Sequence, residues 1–217
     1  MGVLCGFPLG VRSAAELYKE GCISKDEAER LIGFCNNTGP AFLVAGVGLG
    51  LRKSLPEGII LYAAMVISAV ITGAVFARGK IKSEIYDLSV SRRRFSLTRS
   101  IKDAGIGTLN VCAYLTFFAC VVGLLRAAIG HNYLYLSLIP FLEIGSATSI
   151  FSKTELLSNL TSLLFSSFAV GFSGLSVHLQ ALSFLSDTGL CVKRYFVMKL
   201  FQGAISVLIT YALYLIV

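Results

Sequence analysis

The residues of this chain that could do chemistry sit in short runs inside apolar stretches. In Asn36-Asn37-Thr38-Gly39-Pro40, Pro40 removes a backbone donor and Gly39 loosens the helix, so a broken helix would offer amide and hydroxyl groups to a solute or ion. The same residues could instead cap a helix that begins at Pro40. Glu143 lies between Pro140 and Gly145-Ser146, far in sequence from any basic partner. At membrane depth such a carboxyl is a functional candidate, for a coupling cation or proton or for a hydrogen bond to a solute; at an interfacial loop it is not.

The run Gly171 to Gln180 brings Ser176, His178 and Gln180 close together, with Gly171 and Gly174 as bends. A bend there would expose helix N-termini that attract anions, and His178 could titrate near neutral pH. The alternative is a small-residue helix contact beside a satisfied histidine. Arg12 follows the bend Gly6-Phe7-Pro8-Leu9-Gly10 and could pair with a carboxylate or phosphate, or with Glu16 four residues on. No Walker motif, GxSxG, HExxH or paired-carboxylate constellation occurs, which speaks against an enzyme. Cys5, Cys22, Cys35, Cys112, Cys120 and Cys191 form no C-x-x-C and have no nearby histidine ligands. No metal site or cofactor is expected beyond a coupling cation, H+ or Na+.

The elements that must position these residues are set by composition. With 55% hydrophobic and 14% charged residues in 217, and a mean hydropathy of +0.77, the chain cannot surround a soluble core with charge. Residues 31–51, 58–77, 104–125 and 200–217 carry no charge, each near the roughly 20 residues that span a bilayer as a helix. The net charge of +7 is concentrated in loop 78–103, whose Arg78, Lys80, Lys82, Arg92, Arg93, Arg94, Arg99 and Lys102 place it on the cytoplasmic side. Contact with anionic lipid head groups fits that loop better than nucleic acid does. Upstream, alternating charges from Glu16 to Arg30 interrupted by Gly21 predict a helix-turn-helix at the cytoplasmic membrane surface, its second helix capped by a Ser24/Glu27 box. Arg52 to Glu57, with Pro56, predicts an external turn.

Residues 127–142 and 156–186 are uncharged but rich in Gly, Ser and Thr, and are separated by the interruption at 143–149. Lipid cannot satisfy broken backbone, so re-entrant hairpins are predicted. The Gly-Phe starts at Gly6 and Gly171, with Gly21 and Gly189 further on, suggest two copies of a hairpin-plus-helix unit. If 134–186 enters and leaves from outside, the copies are inverted. That arrangement would start the last helix, with Lys193, Arg194 and Lys199, on the outside, against the positive-inside tendency.

The run Gly6-Phe7-Pro8-Leu9-Gly10, then Gly21-x-Ile23-Ser24-x-x-Glu27-Ala28-x-Arg30-Leu31 and Phe34 to Pro40, resembles the YlbJ-type sporulation integral membrane proteins, which carry the Gate or nucleoside-recognition domain. Leu142 to Ser146 and Gly174 to Gln180 look like that family's second half. The resemblance implies an architecture similar to concentrative nucleoside transporters and export of dipicolinic acid across the outer forespore membrane of an endospore-forming bacterium. It also implies that N-terminal helices and the first arm of the first hairpin are missing from this chain.

The reading is therefore an all-α polytopic protein with spanning helices and re-entrant hairpins in two inverted repeats, 1–103 and 104–217. It would be a secondary transporter for a small anionic solute, with Arg12, Asn36, Asn37, Thr38, Glu143, Ser146, Ser176, His178 and Gln180 around the site. Bends are expected at Gly6, Pro8, Gly10, Gly39, Pro40, Gly145, Gly171 and Gly174. The expected partners are a small-molecule substrate and the lipid bilayer, with a homo-oligomer open and no nucleic acid. Transport of a nucleoside or other neutral solute, or a non-transporting assembly role, are the rivals.

Overall fold

The computed structural model describes residues 2–77 and 96–216. Most of the basic loop, residues 78–95, lies outside the described residues, and 97–103, assigned to that loop from the sequence, begin a long helix instead. Among the described residues there is no strand. The helices are α1 (Gly2–Cys5), α2 (Leu9–Lys19), α3 (Lys25–Cys35), a wide π-type helix (Ala41–Arg52), α4 (Leu55–Val75), α5 (Leu97–Ile129), α6 (Tyr133–Leu142), α7 (Ile144–Phe151), α8 (Asn159–Phe172), α9 (Gly174–Leu185) and α10 (Val192–Tyr214).

Among the described residues, four helical stretches are long and apolar enough to cross a bilayer: Leu55–Val75, Ser100–Ile129, Asn159–Leu185 and Val192–Tyr214. The uncharged stretch 31–51 is not one span. It divides at Asn36 to Gly39 into α3 and the wide helix, because Pro40 cannot donate to a continuing ladder and Asn36 turns extended (ψ 91°). The span Asn159–Leu185 divides in the same way at Ser173, whose φ of +81° ends α8 in the left-handed region.

Contacts fix the direction of each element. Arg30 donates to the carbonyl of Ala77 (3.1 Å), and Arg194 donates to that of Phe76 (3.1 Å) and pairs with Asp26 (2.6 Å). The backbone N–H of Cys191 donates to Glu29 (2.8 Å). The start of α3, the start of α10 and the end of α4 therefore share the face from which the basic loop leaves. At the opposite face, Arg52 pairs with Glu57 and donates to Ser162 (2.9 Å) and Asn159 Oδ1 (2.7 Å), while Asn159 donates to Glu57 (2.8 Å).

His131 meets Thr154 across the mouth of α6 and α7 (3.0 Å). This pair is a helical hairpin whose open end lies at the Arg52 face, where Ser162 joins the Phe151 carbonyl to Arg52, and whose tip is Glu143. The following span, α8 and α9, crosses completely, so α10 starts at the basic-loop face. That corrects the expected outside start of the last helix: Lys193 and Arg194 lie where the positive-inside tendency puts them. It also corrects the paired Gly-Phe segments, since α2 and α9 both run toward the basic face and are not inverted relative to each other. The helix-turn-helix of α2 and α3 forms, but it packs Val11, Ala14, Ala15, Ala28 and Ile32 against Ala181, Leu185 and Tyr195 rather than lying flat on the membrane.

Close backbone approach sets the packing. A β-carbon on Gly171 would lie 2.8 Å from the Cα of Gly203, so α8 and α10 touch through glycines; Gly48 and Gly58 do the same between the wide helix and α4. Gly171 is thus a helix contact, and Gly10, inside α2 against the Cys35 carbonyl, is another; neither is a bend.

Two outcomes follow. Gly171→Val should lower stability by about 1–3 kcal/mol through overpacking, read as a lower melting temperature in detergent micelles; an unchanged melting temperature would contradict the contact. The predicted capping box is present, with Ser24 N donating to Glu27 (2.8 Å) and Glu27 N donating to Ser24 Oγ (3.3 Å). The backbone hydrogen bond from Ser24, then its hydroxyl, hold the Glu27 carboxyl below its ordinary 4.5. A depressed carboxyl stabilises above its unfolded value and loses that contribution as pH falls through its folded value. Amide exchange in the first turn of α3 should therefore speed up on acidification below about pH 4.5, once corrected for intrinsic rates, and less so in Glu27→Gln.

Candidate functional site

Four interruptions of helical backbone converge midway between the two faces. The bend Gly6 to Pro8, with a cis Phe7–Pro8 bond, lies against the Asn36 to Gly39 break: a β-carbon on Gly6 would stand 3.1 Å from Gly39 N. The hairpin tip lies against the Ser173 break, where a β-carbon on Gly174 would stand 3.1 Å from the Leu142 carbonyl. Gly6 (φ +80°) and Gly174 (φ +64°) occupy left-handed conformations that a side chain would strain.

A cavity of about 340 Å³ opens where these breaks meet. Its apolar wall includes Leu4, Phe7, Phe42, Val111, Leu115, Ile144 and Val177, and its polar wall Thr38, Glu143 and Gln180. Glu143 is buried, and its carboxylate accepts from the backbone N–H of Gly145 (2.6 Å) and from that of Ser146, capping α7 at its positive dipole end. Thr38 is 4% exposed and its hydroxyl has no partner.

Behind this cavity lies a fully buried polar network. Asn36 donates to the Tyr195 hydroxyl (3.4 Å), which meets His178 Nδ1 (3.0 Å). The Asn37 carboxamide oxygen accepts from Gln202 (2.8 Å) and from Lys199 Nζ (3.3 Å). Lys199 Nζ also donates to the Asn36 carbonyl and to Gln202 Oε1 (3.0 Å). Among the described residues four buried side-chain polar atoms remain unpartnered, Asn36 Oδ1, Thr38 Oγ1, Ser176 Oγ and His178 Nε2, all on or beside the breaks.

The structure thus brings Thr38, Glu143 and Gln180 to the cavity wall and Asn36, Asn37 and His178 into the network. Ser176 is buried on α9 and Ser146 half-buried on α7, neither lining the cavity. The amides do not cap the wide helix, whose first turn has no side-chain cap; Asn37 instead donates to the Phe34 carbonyl (2.6 Å). Arg12 is brought to neither place: it is partly exposed and pairs with Glu16 at 3.0 Å, the interfacial alternative. Of the bends, Gly6, Gly39 and Gly145 line the cavity and Pro40 opens the wide helix.

Sequence reading missed Tyr195, Lys199 and Gln202. The available signal was a lone ammonium inside an apolar span with an amide three residues on, which marks a functional position at membrane depth. Grouping Lys199 with Lys193 and Arg194 at a helix start hid it.

These features define an integral membrane protein, all-helical among the described residues, with spanning and broken helices around a partly polar cavity. It is similar in sequence to the sporulation integral membrane protein YlbJ of Bacillus subtilis (strain 168), 28% identical over 94% of this chain, as the motifs at Gly6, Gly21 and Phe34 led one to expect. The chain spans about 60% of the length of that relative. No family model matches the chain, and no solved structure matches it.

Asn37→Ala should cost about 1–3 kcal/mol, because it leaves the Gln202 amide and one Lys199 N–H without their buried acceptor. Adding Gln202→Leu should cost less than the two single changes summed. Additive losses in detergent-melting experiments would contradict the network.

Proposed function

We propose that the chain is the solute-carrying part of a secondary transporter, with the cavity at the four breaks as its solute site. The observation that carries this reading is the cavity itself. Broken backbone at membrane depth persists only where protein or a watery chamber satisfies it, and here the breaks at Gly6, Thr38 and Glu143 share one chamber with Gln180 of α9, while the fourth, at Ser173, packs on the hairpin tip.

The order of elements supports two inverted halves. The bend of α1 and α2, the broken pair of α3 and the wide helix, and α4 correspond to the hairpin α6 and α7, the broken pair α8 and α9, and α10. Each member runs opposite to its counterpart, as in transporters that rock one half against the other around a midplane site. This correspondence suits two halves like 1–103 and 104–217, with the boundary moved back to Leu97 so that α5 leads the second.

The solute that the family resemblance implies is dipicolinic acid, and the membrane would then be the outer forespore membrane. Phe7 and Phe42 suit a flat ring, and the uncapped starts of α2, the wide helix and α9 suit carboxylates. A second reading, an uncharged solute such as a nucleoside, is favoured by the absence of any basic side chain from the cavity wall among the described residues and by the Glu143 carboxylate on it.

The test is uptake of labelled dipicolinate and uridine into proteoliposomes holding the full-length protein. Saturable uptake of one of them should fall at least about tenfold in Thr38→Val and Glu143→Gln, equivalent to roughly 1.4 kcal/mol or more of lost solute interaction, while Arg12→Gln keeps it. Uptake of neither, with sporulation undisturbed by Glu143→Gln, would leave the assembly role.

A further inference from the structure

Lys199 is fully buried, and among the described residues it has no carboxylate partner. An ammonium has three N–H donors and no acceptor. Lys199 Nζ meets three oxygens: the Asn36 carbonyl, Asn37 Oδ1 and Gln202 Oε1. Two belong to the break that ends α3, the negative end of that half-helix, and the third to α10. Carbonyl and amide oxygens at the C-terminal end of a broken helix are the ligand set that transporters offer to a coupling cation. Here a cation tethered to α10 occupies it.

We propose that the Lys199 ammonium is the coupling cation of this protein, so that solute moves with a proton and the oxygens around Lys199 take no sodium. This rests on the transporter reading. In the protonated form all three oxygens receive an N–H, and the Asn36 to Gly39 break, which carries Thr38 into the cavity, is clamped to α10. Loss of the proton to water breaks one N–H bond and leaves a lone pair facing one of the three oxygens, so the clamp loosens. One proton thus binds with the solute and leaves with it, with no other co-reactant.

Other titratable groups face this centre. Cys35 on α3 and His178 on α9 lie within electrostatic reach of Lys199, and Tyr195 stands one turn before it on α10. Toward the basic face, α3 also carries Asp26, Glu29 and Arg30, and α10 carries Lys193 and Arg194. From α4 and α8 the buried polar groups are hydroxyls, Ser68, Thr72, Ser166 and Ser167, which do not titrate in this range.

The experiment uses the full-length protein in proteoliposomes with whichever of dipicolinate and uridine it carries. In the wild type an inward proton gradient should drive accumulation, and replacing sodium with choline should change nothing. Lys199→Met should abolish accumulation yet retain exchange of external labelled solute for internal unlabelled solute. A purely structural lysine would lose both. Accumulation driven by a sodium gradient in the wild type, or surviving in Lys199→Met, would overturn the coupling proposal. A wild type without exchange of either solute would overturn the transporter reading, and the coupling with it. If Lys199→Met does not purify folded, Lys199→Gly is melted with ethylammonium or sodium. Ethylammonium alone should raise its melting temperature, and a rise with sodium of equal size would overturn the proposal.

Discussion

The structure depends on one constraint: inside a bilayer every backbone N–H and C=O must find a partner within the protein. A chain that breaks its helices at Pro8, at Asn36 to Gly39, at Glu143 and at Ser173 creates orphan groups at four points. Collecting those points in one layer lets each break cover another, with Gly6 on Gly39 and Gly174 on the hairpin tip. The Glu143 carboxylate and the Lys199 ammonium then complete the satisfaction from opposite sides, one at a helix N-terminus and one at a helix C-terminus, each at the dipole end that favours its charge.

The faces are built differently from this middle layer. Arg52, Glu57, Asn159 and Ser162 tie the turn before α4 to the start of α8 through bonds at the protein surface, although the Arg52 side chain itself is only 3% exposed. At the basic face, Arg194 ties α10 to α3 and α4 at once. Glycine contacts between α8 and α10 and between the wide helix and α4 add close packing along the spans. The faces are therefore anchored by arginine ion pairs, and the layer between them by a mixed network in which neutral bonds, such as the 3.4 Å one from Asn36 to Tyr195, join those of Glu143 and Lys199.

Much of this was legible in the sequence, because the signals are local. Charge-free length gave α4 and α10, the Ser24/Glu27 pair gave the cap of α3, and Asn36 to Pro40 and Glu143 gave two of the breaks. What was illegible is relational. Whether 134–186 returns to its starting side depends on where one crossing ends, and Ser173 gives no sign that the span continues through it. The Gly-Phe likeness misled for a related reason: Gly6 is a left-handed bend while Gly171 is a helix contact, and glycine serves both without a difference in neighbouring residues. Arg12 was read as a ligand from its nearness to a bend, but four residues of helix set it beside Glu16.

The unpartnered atoms say where the structure has room to change. Among the described residues, Asn36 Oδ1, Thr38 Oγ1, Ser176 Oγ and His178 Nε2 are buried without partners, while Arg30, Arg52 and Arg194 at the faces are all bonded. Each such atom costs about 1–3 kcal/mol relative to a bonded one. Four of them clustered at the breaks form a reservoir that a hydrogen-bonding guest or a repacked neighbour would relieve. A fold seeking only stability would replace Thr38 with valine and Ser176 with alanine at little steric cost. The Thr38 hydroxyl, left unsatisfied beside the chamber, instead narrows the energy gap between arrangements of the break in which it is bonded and unbonded.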